Sequence, residues 1–350
     1  MRFALYRVLR FYCKVCLRLY FRTLQVSGRE RVPNGPVLFV ANHQNAFLDA
    51  ILVACSSHRE PWFITRASVF QKPWAAYMLA LLRMIPVYRF RDGFGTLRRN
   101  EQTMTRTAAL LRSGEAVLIF AEGNHDSRRR LRPLQKGFVR LAMDCLSQLP
   151  AQEKLHVVPV GIQYDSLDQF RTRVLVQFGE PVLVEAEMDQ AALIEVTAQR
   201  IREMILHVEP LDSYDQQMQW LHANRRIQGD LIAQLQADRH VLAAYKGQSV
   251  PIAVSHSRPH LNPLWWWGFV NHLLPYYCLR WILRRKMKDA QFAGSLKFSV
   301  GIFLLPACYA LQTSVLALLG ASPTWQLLYV CHLPVVGLAA HAWSVPRSLR

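Results

Sequence analysis

Acidic side chains are scarce in this chain: 24 Asp and Glu stand against 42 Lys and Arg in 350 residues, a formal net charge of +18. That balance excludes an acidic, solvating protein and points to an anionic partner, whether nucleic acid, a membrane surface or a phosphorylated substrate. Cysteine is also sparse. The seven cysteines (Cys13, Cys16, Cys55, Cys145, Cys278, Cys308 and Cys331) are odd in number and scattered, so no disulfide framework is indicated and a reducing, cytosol-facing setting is expected. Cys13 and Cys16 make one CxxC, but a zinc site takes about four ligands and no second Cys or His pair stands near it. These two cysteines are expected to pack within a helix, and no metal is expected. No internal repeat, low-complexity tract or recognised nucleic-acid motif is present, which leaves the membrane surface and the phosphorylated substrate as the stronger readings of the charge. The hydrophobic share of 51% excludes a disordered chain and suffices for a real core.

The chain divides by composition. Residues 1–32 read as a basic amphipathic helix at a membrane interface, with Arg7, Arg10, Lys14, Arg18 and Arg22 spaced by three or four among apolar side chains. They lack the uninterrupted apolar centre of a signal peptide or a spanning helix. A helix packed on the domain with a solvated basic face fits the same pattern. Over residues 36–181, short β-rich runs (PVLFVA, WFIT, MIPVYR, AVLIFAEG, HVVPVGIQY, VLVQFGEPV) alternate with helical stretches such as 97–111 and 134–146. Alternation of that kind predicts an α/β domain over 33–186, with a mixed, largely parallel sheet flanked by helices and a site at the carboxyl ends of its strands. Residues 187–250 read as an exposed helical extension, and the Ser/Pro/His stretch 250–263 as a linker.

The tail, 251–350, is different. Residues 298–319 and 325–346 carry no charge, and each is long enough to cross a hydrocarbon core of about 30 Å. Joined by Gly320-Ala321-Ser322-Pro323-Thr324, they predict a transmembrane hairpin of helices 298–319 and 325–345. Both its ends are expected on the side of Arg284, Arg285, Lys286, Lys288, Lys297, Arg347 and Arg350, which the positive-inside tendency makes cytoplasmic. A hairpin buried in a soluble protein is the alternative. Residues 264–283, with Trp265-Trp266-Trp267, Tyr276-Tyr277 and Arg280, favour an interfacial segment and leave spanning open.

One octapeptide carries chemistry. Asn42-His43-Gln44-Asn45-Ala46-Phe47-Leu48-Asp49 follows the apolar run 37–41 and precedes a predicted helix. If His43 lies in the turn and Asp49 in the helix, the carboxylate can hold one imidazole nitrogen protonated while the other accepts a hydroxyl proton. Taken alone, the pair reads more readily as a capping Asp beside a surface His. Its neighbours change that reading: Ile85-Pro86-Val87-Tyr88-Arg89 ends a strand in a guanidinium suited to phosphate. Ile119-Phe120-Ala121-Glu122-Gly123-Asn124-His125 ends another, with Arg128, Arg129, Arg130, Arg132 and Lys136 after it.

With these two segments and Val158-Pro159-Val160-Gly161, the chain resembles the phospholipid/glycerol acyltransferase family, which includes glycerol-3-phosphate and 1-acylglycerol-3-phosphate acyltransferases. Four motifs fall in the family's order between residues 36 and 181. The resemblance implies a membrane-bound O-acyltransferase of phospholipid biosynthesis that moves an acyl chain from acyl-CoA or acyl-carrier protein to the hydroxyl of 1-acylglycerol 3-phosphate or glycerol 3-phosphate. His43 would be the general base and Asp49 its orienter. Asn42, Arg89, Glu122, Gly123, Arg128, Arg130, Arg132 and Lys136 would bind substrate, and Pro159 would shape the acyl end. No cofactor is implied, and the partners are membrane lipids, the acyl donor and the glycerophosphate acceptor, with no nucleic acid.

Three departures from the family pattern bear on the acceptor. Five residues separate His43 from Asp49 where four are usual, a form that resembles some fungal glycerol-3-phosphate acyltransferases. Ala121 replaces the commoner Pro, and Asn124-His125 stands in place of a frequent Thr-Arg; Arg83-Met84 precedes the second motif where Gly is frequent. Acylation of another lysolipid or amino-acid lipid, or lipid binding without catalysis, are the rival readings.

Overall fold

The structure is a computed structural model that describes residues 2–88, 96–124, 126–150, 152–247, 263–286 and 290–344. In chain order the elements are α1 (Arg2–Tyr20), β1 (Thr23–Ser27), β2 (Val37–Ala41), α2 (Ala46–Ser56), β3 (Trp62–Arg66), α3 (Pro73–Leu81), β4 (Met84–Val87), α4 (Thr96–Arg112), β5 (Ala116–Ile119), α5 (Gly137–Leu146), β6 (His156–Tyr164), β7 (Arg173–Phe178), β8 (Val182–Leu183), α6 (Gln190–Met204), α7 (Tyr214–Asn224), α8 (Leu231–Ala243), α9 (Pro263–Lys286), α10 (Ala293–Leu318) and α11 (Pro323–Ser344).

Eight strands among the described residues form one sheet, in the order β1-β7-β6-β2-β5-β3-β4, with β8 also on β6. β2 runs parallel to both β5 and β6, and β3 parallel to β4 and β5, while β7 and β8 pair with β6 in the antiparallel sense. The sheet is therefore mixed and largely parallel, as the alternation of runs predicts. Period-two alternation along β2 sorts its side chains. Val37, Phe39 and Ala41 enter a core built with Leu48, Leu52 and Val53 of α2 and Leu17 and Tyr20 of α1. Leu38 and Val40 enter the opposite core with Leu111 of α4, Phe138 and Leu141 of α5, and Leu193 and Ile201 of α6. A strand apolar on both faces needs helices on both, and that arrangement fixes where β2 ends.

The first 32 residues do not form one interfacial segment. The helix stops at Tyr20, and Thr23–Ser27 joins the sheet beside β7, in a register that pairs Thr23 with Arg173. Its mixed sequence TLQVS has no apolar run to mark it as a strand. The basic stripe of α1 is partly turned inward. Arg10 donates to the carbonyls of Ala54, Ser57 and Arg59 at 2.7–2.8 Å, satisfying the otherwise unpaired C-terminal end of α2, and Arg7 pairs with Glu60. The apolar stripe Leu5, Val8, Phe11, Val15 and Leu19 is left exposed.

The extension after β8 is bolted to the sheet edge by charge. Asp165 meets Arg173 at 2.5 Å and Arg225 at 2.6 Å, and Arg225 meets Asp238 at 2.8 Å. Burial pushes the Asp165 carboxyl up, but Arg225 and Arg173 outweigh it and hold the group below the usual carboxylate range. The linker at 250–263 falls outside the described residues apart from Pro263, which opens α9.

In the tail, α10 and α11 are each long and apolar enough to cross a membrane, and they pack as a hairpin with α9 against both. α10 starts five residues before the expected position, so its first turn lies against the turn at Asn45. At the other end of the hairpin, the His341 ring of α11 lies 5.0 Å from that of Phe170. Both open ends of the hairpin thus meet the α/β domain, and its Gly320 turn points away.

Candidate active site

Because β5, β2 and β6 are neighbours and parallel, their carboxyl ends open on one crevice. β2 ends at Ala41. Asn42 follows, wholly buried, and its amide takes both sides of one peptide position: Nδ2 donates to the Ile162 carbonyl (3.0 Å) and Oδ1 accepts the Ile162 N–H (2.8 Å). Asn42 is expected to bind substrate from the sequence, yet it is spent on continuing the β2–β6 pairing beyond the last strand residue. Its effect on the site is to fix where the chain leaves the sheet.

The next residues fold back on Asp49 in the first turn of α2. One carboxylate oxygen, Oδ2, accepts from His43 Nδ1 (2.9 Å), from the Gln44 N–H (2.9 Å) and from the Asn45 N–H (2.8 Å). The other, Oδ1, accepts from the Tyr164 hydroxyl at 2.6 Å. Four donors, together with the positive end of the α2 dipole, lock a side chain that has no exposure of its own. A carboxylate only accepts, so His43 Nδ1 carries the proton and Nε2 is the basic nitrogen. Phe120, at the end of β5, stacks on the imidazole with ring centroids 4.0 Å apart and 15° between planes. The ring is thus held by edge and by face, and 17% of the His43 side chain stays open to solvent.

The extra residue between His43 and Asp49 has a visible place. Ala46, the first residue of α2, sits at φ 45°, in the left-handed region that a Cβ disfavours. With five residues between them, His43 and Asp49 still close to a 2.9 Å contact because the turn takes up one residue there.

The loop after β5 braces the same turn. Gly123, at φ 74°, reverses the chain after Glu122, a conformation glycine adopts without cost. The Glu122 carboxylate accepts the His43 N–H (2.8 Å) and pairs with Arg132 Nε (3.0 Å), and its side chain is almost wholly buried. Burial pushes the Glu122 carboxyl up, while the His43 N–H and Arg132 pull the other way. The Gln44 side chain donates to the Arg128 carbonyl (2.7 Å), and the Asp126 N–H donates to the His43 carbonyl (3.1 Å). The loop at 120–132 and the turn at 42–45 are therefore one hydrogen-bonded body.

Of the residues read as substrate-binding, Glu122 and Arg132 pair with each other, and Arg130 pairs with Asp126 at 3.7 Å. Arg128 and Lys136 are exposed at the rim, and Gly123 presents an exposed backbone. Pro159 is buried within β6, where its carbonyl accepts the Gly179 N–H (2.8 Å) as part of the sheet. Arg89 and His125 lie outside the described residues.

Tyr164 and Phe120 were not singled out by sequence reasoning. Burial first, and the neighbouring Asp49 second, push the Tyr164 phenol well above its ordinary range, so it remains a donor to Asp49. A phenol ring at the end of the β6 run HVVPVGIQY is the one signal that could have pointed to it.

Comparison with known proteins agrees with this geometry. Residues 23–163, which run from β1 almost to the end of β6, match the model of the Acyltransferase family. These residues form an acyltransferase domain. The domain is 23% identical over 254 residues to glycerol-3-phosphate O-acyltransferase 1 of Saccharomyces cerevisiae, covering 48% of this chain and 33% of the yeast protein. It is 25% identical over 157 residues to the chloroplastic 1-acyl-sn-glycerol-3-phosphate acyltransferase BAT2 of Brassica napus, covering 44% of this chain and 41% of that protein. It is also 25% identical over 228 residues to the lyso-ornithine lipid O-acyltransferase of Brucella abortus, covering 57% of this chain and 82% of that protein. The chain spans less than half the length of the first two of these relatives.

Proposed function

We propose that this protein is a membrane-bound O-acyltransferase that moves a fatty acyl chain from an acyl thioester to the hydroxyl of a glycerophosphate acceptor, 1-acylglycerol 3-phosphate or glycerol 3-phosphate. The observation that carries this reading is the His43–Asp49 contact at 2.9 Å within a matched acyltransferase segment. In it, His43 Nε2 takes the acceptor's hydroxyl proton as the oxygen attacks the thioester carbonyl. The tetrahedral intermediate collapses with cleavage of the C–S bond, and the leaving thiol recovers the proton from His43. Asp49 holds the tautomer and stabilises the transient imidazolium. Arg128 and Lys136 at the rim, with Arg89, supply the cationic charge that suits the acceptor's phosphate. Acyl-CoA and acyl-carrier protein are both compatible donors, and the reading requires no cofactor.

Membrane attachment is supported by the two long apolar helices α10 and α11, by the exposed apolar stripe of α1, and by the exposed Trp74, Tyr77 and Met78 of α3. The basic residues flanking the hairpin favour a catalytic domain on the cytoplasmic face.

A second reading has its own support: the Brucella lyso-ornithine lipid enzyme aligns over 82% of its length, and Arg132 and Arg130 are engaged by Glu122 and Asp126. An acceptor without phosphate would need less free cationic charge. The experiment is labelled acyl transfer by membranes carrying the full chain. Acyl-CoA and acyl-carrier protein are offered in turn to glycerol 3-phosphate, lysophosphatidate and a lyso amino-acid lipid. His43-dependent product on a glycerophosphate is expected, with a loss in Arg89→Ala. Product on the amino-acid lipid alone, with Arg89→Ala unaffected, selects the second reading; no His43-dependent product in any pairing refutes both.

A further inference from the structure

The first turn of α10 does more than lie near the catalytic motif. Asn45, which precedes the strained Ala46, is 1% exposed, and Ser295 of α10 is wholly buried against it. The Ser295 N–H donates to Asn45 Oδ1 (3.1 Å), the Ser295 hydroxyl donates to the Asn45 carbonyl, and the same hydroxyl accepts the Leu48 N–H (3.2 Å). Asn45 Nδ2 donates to the Leu167 carbonyl (2.8 Å), so its amide is clamped between the chain after β6 and α10. The approach leaves no room for a side chain at Gly294: a Cβ there would sit 2.0 Å from the Leu167 oxygen and 2.8 Å from Asn45 Nδ2. Around this point Phe298 enters the same core as α2 and stacks edge-on against Tyr20 at 5.3 Å, and Lys297 donates to the Asp168 carbonyl (2.7 Å).

A residue held at φ 45° persists only where its surroundings over-determine it. On one side of Ala46 the Asn45 N–H is held by Asp49; its carbonyl and amide are held by Ser295 and Leu167. On the other side the Leu48 N–H is held by Ser295 and by the Asn45 carbonyl (3.1 Å). Of the partners named here, Asp49 and Leu167 come from the α/β domain and Ser295 comes from the hairpin.

We propose that Ser295, seated by Gly294, is a positioning residue for the His43–Asp49 pair, so that the hairpin is a working part of the active site as well as its anchor. The extended spacing between His43 and Asp49 gives this turn a left-handed residue, and the hairpin's first turn supplies the bonds that hold it. A catalytic domain whose geometry depends on the seated hairpin works at the membrane, where the hairpin has its solvent.

This inference rests on the acyl-transfer reading only for its kinetic arm. Full-length wild type, Ser295→Ala, Gly294→Ala and, as a control on the same helix, Ser314→Ala are compared in membranes; the Ser314 hydroxyl bonds only its own helix, at the Ala310 carbonyl (2.9 Å). Displacement of a catalytic pair by a fraction of an ångström to an ångström costs about tenfold to a hundredfold in rate, so kcat should fall by that range in Ser295→Ala and further in Gly294→Ala. KM for the donor and resistance to carbonate extraction should stay as in wild type, and Ser314→Ala should match wild type throughout. The second arm needs no turnover: carbethoxylation of His43, followed by peptide mass spectrometry, should be severalfold faster in Ser295→Ala as the imidazole loosens from Asp49 and Phe120. Wild-type kcat together with wild-type labelling in both α10 variants overturns the proposal and leaves the hairpin an anchor. If wild type itself transfers no acyl chain, the functional reading fails, and the labelling arm still decides the coupling.

Discussion

The turn at 42–49 and the hairpin of α10 and α11 treat their polar and apolar groups in opposite ways. The polar side chains that brace His43 are buried and paired: Asp49 takes four donors, Asn42 and Asn45 use both ends of their amides, and Glu122, reaching in from the loop after β5, takes His43 and Arg132. In the hairpin, large apolar side chains such as Phe303, Leu311, Val315, Leu318, Trp325 and Leu328 face outward. The first region is closed against its surroundings because an unpaired buried polar group is expensive; the second is open as a lipid-facing element would be. The teaching is in where they meet. At Ser295 the open element supplies hydrogen bonds to the closed one, so a handful of atoms join the two.

Four experiments test that contrast. The largest effect is expected in the closed region: His43→Ala should lower acyl transfer by about 10²- to 10⁴-fold with the fold intact, as read by initial rates and circular dichroism. A loss of less than tenfold would remove His43 from proton transfer. In the open region, Phe303→Arg places a charge near the middle of α10 and should cost about 2.5–3.5 kcal/mol of insertion, measured as release by carbonate extraction. Unchanged retention would mean that this face is covered by protein and not by lipid.

Tyr164→Phe removes one of the four donors to a buried carboxylate and should cost about 1.5–3 kcal/mol in denaturant unfolding, with slower turnover as Asp49 gains freedom. Stability equal to wild type would show that the turn holds Asp49 without it. The smallest effect concerns the ion cluster under the helical extension. The folded Asp165 carboxyl lies below its unfolded value, so its contribution is present above about pH 4 and lost as the pH falls through the lower, folded value. Trp220 fluorescence should report loosening of α7 in that acid window, and Asp165→Asn should abolish the step.

Much of this could be read directly. The alternation of β-rich and helical runs predicts the parallel sheet, and strands β2 to β7 appear where those runs lie. The charge-free stretches mark α10 and α11. Other features carried no local mark. TLQVS is too polar to announce β1, and it becomes a strand because the edge of β7 is open to it. The Arg residues of α1 read as a headgroup-facing stripe, but Arg10 is drawn inward by unpaired carbonyls at the end of α2. The basic residues Arg128, Arg130, Arg132 and Lys136 read together as substrate-binding, yet Arg132 and Arg130 are claimed by Glu122 and Asp126, carboxylates within ten residues of them.

By itself the sequence determined what depends on period, length and order: a two-faced buried strand ending in Asn-His, a carboxylate in the first turn of the next helix, and two stretches long enough to cross lipid. Those are properties of neighbours along the chain. Only the tertiary structure decided which donors converge on Asp49, that Glu122 and Arg132 hold the backbone of His43, that Asn42 is spent on Ile162, and that Ser295 meets Asn45 across 250 residues. Such pairings depend on which surfaces remain unsatisfied once the sheet and its layers have formed, and neither partner carries a mark of the other in its own stretch of sequence.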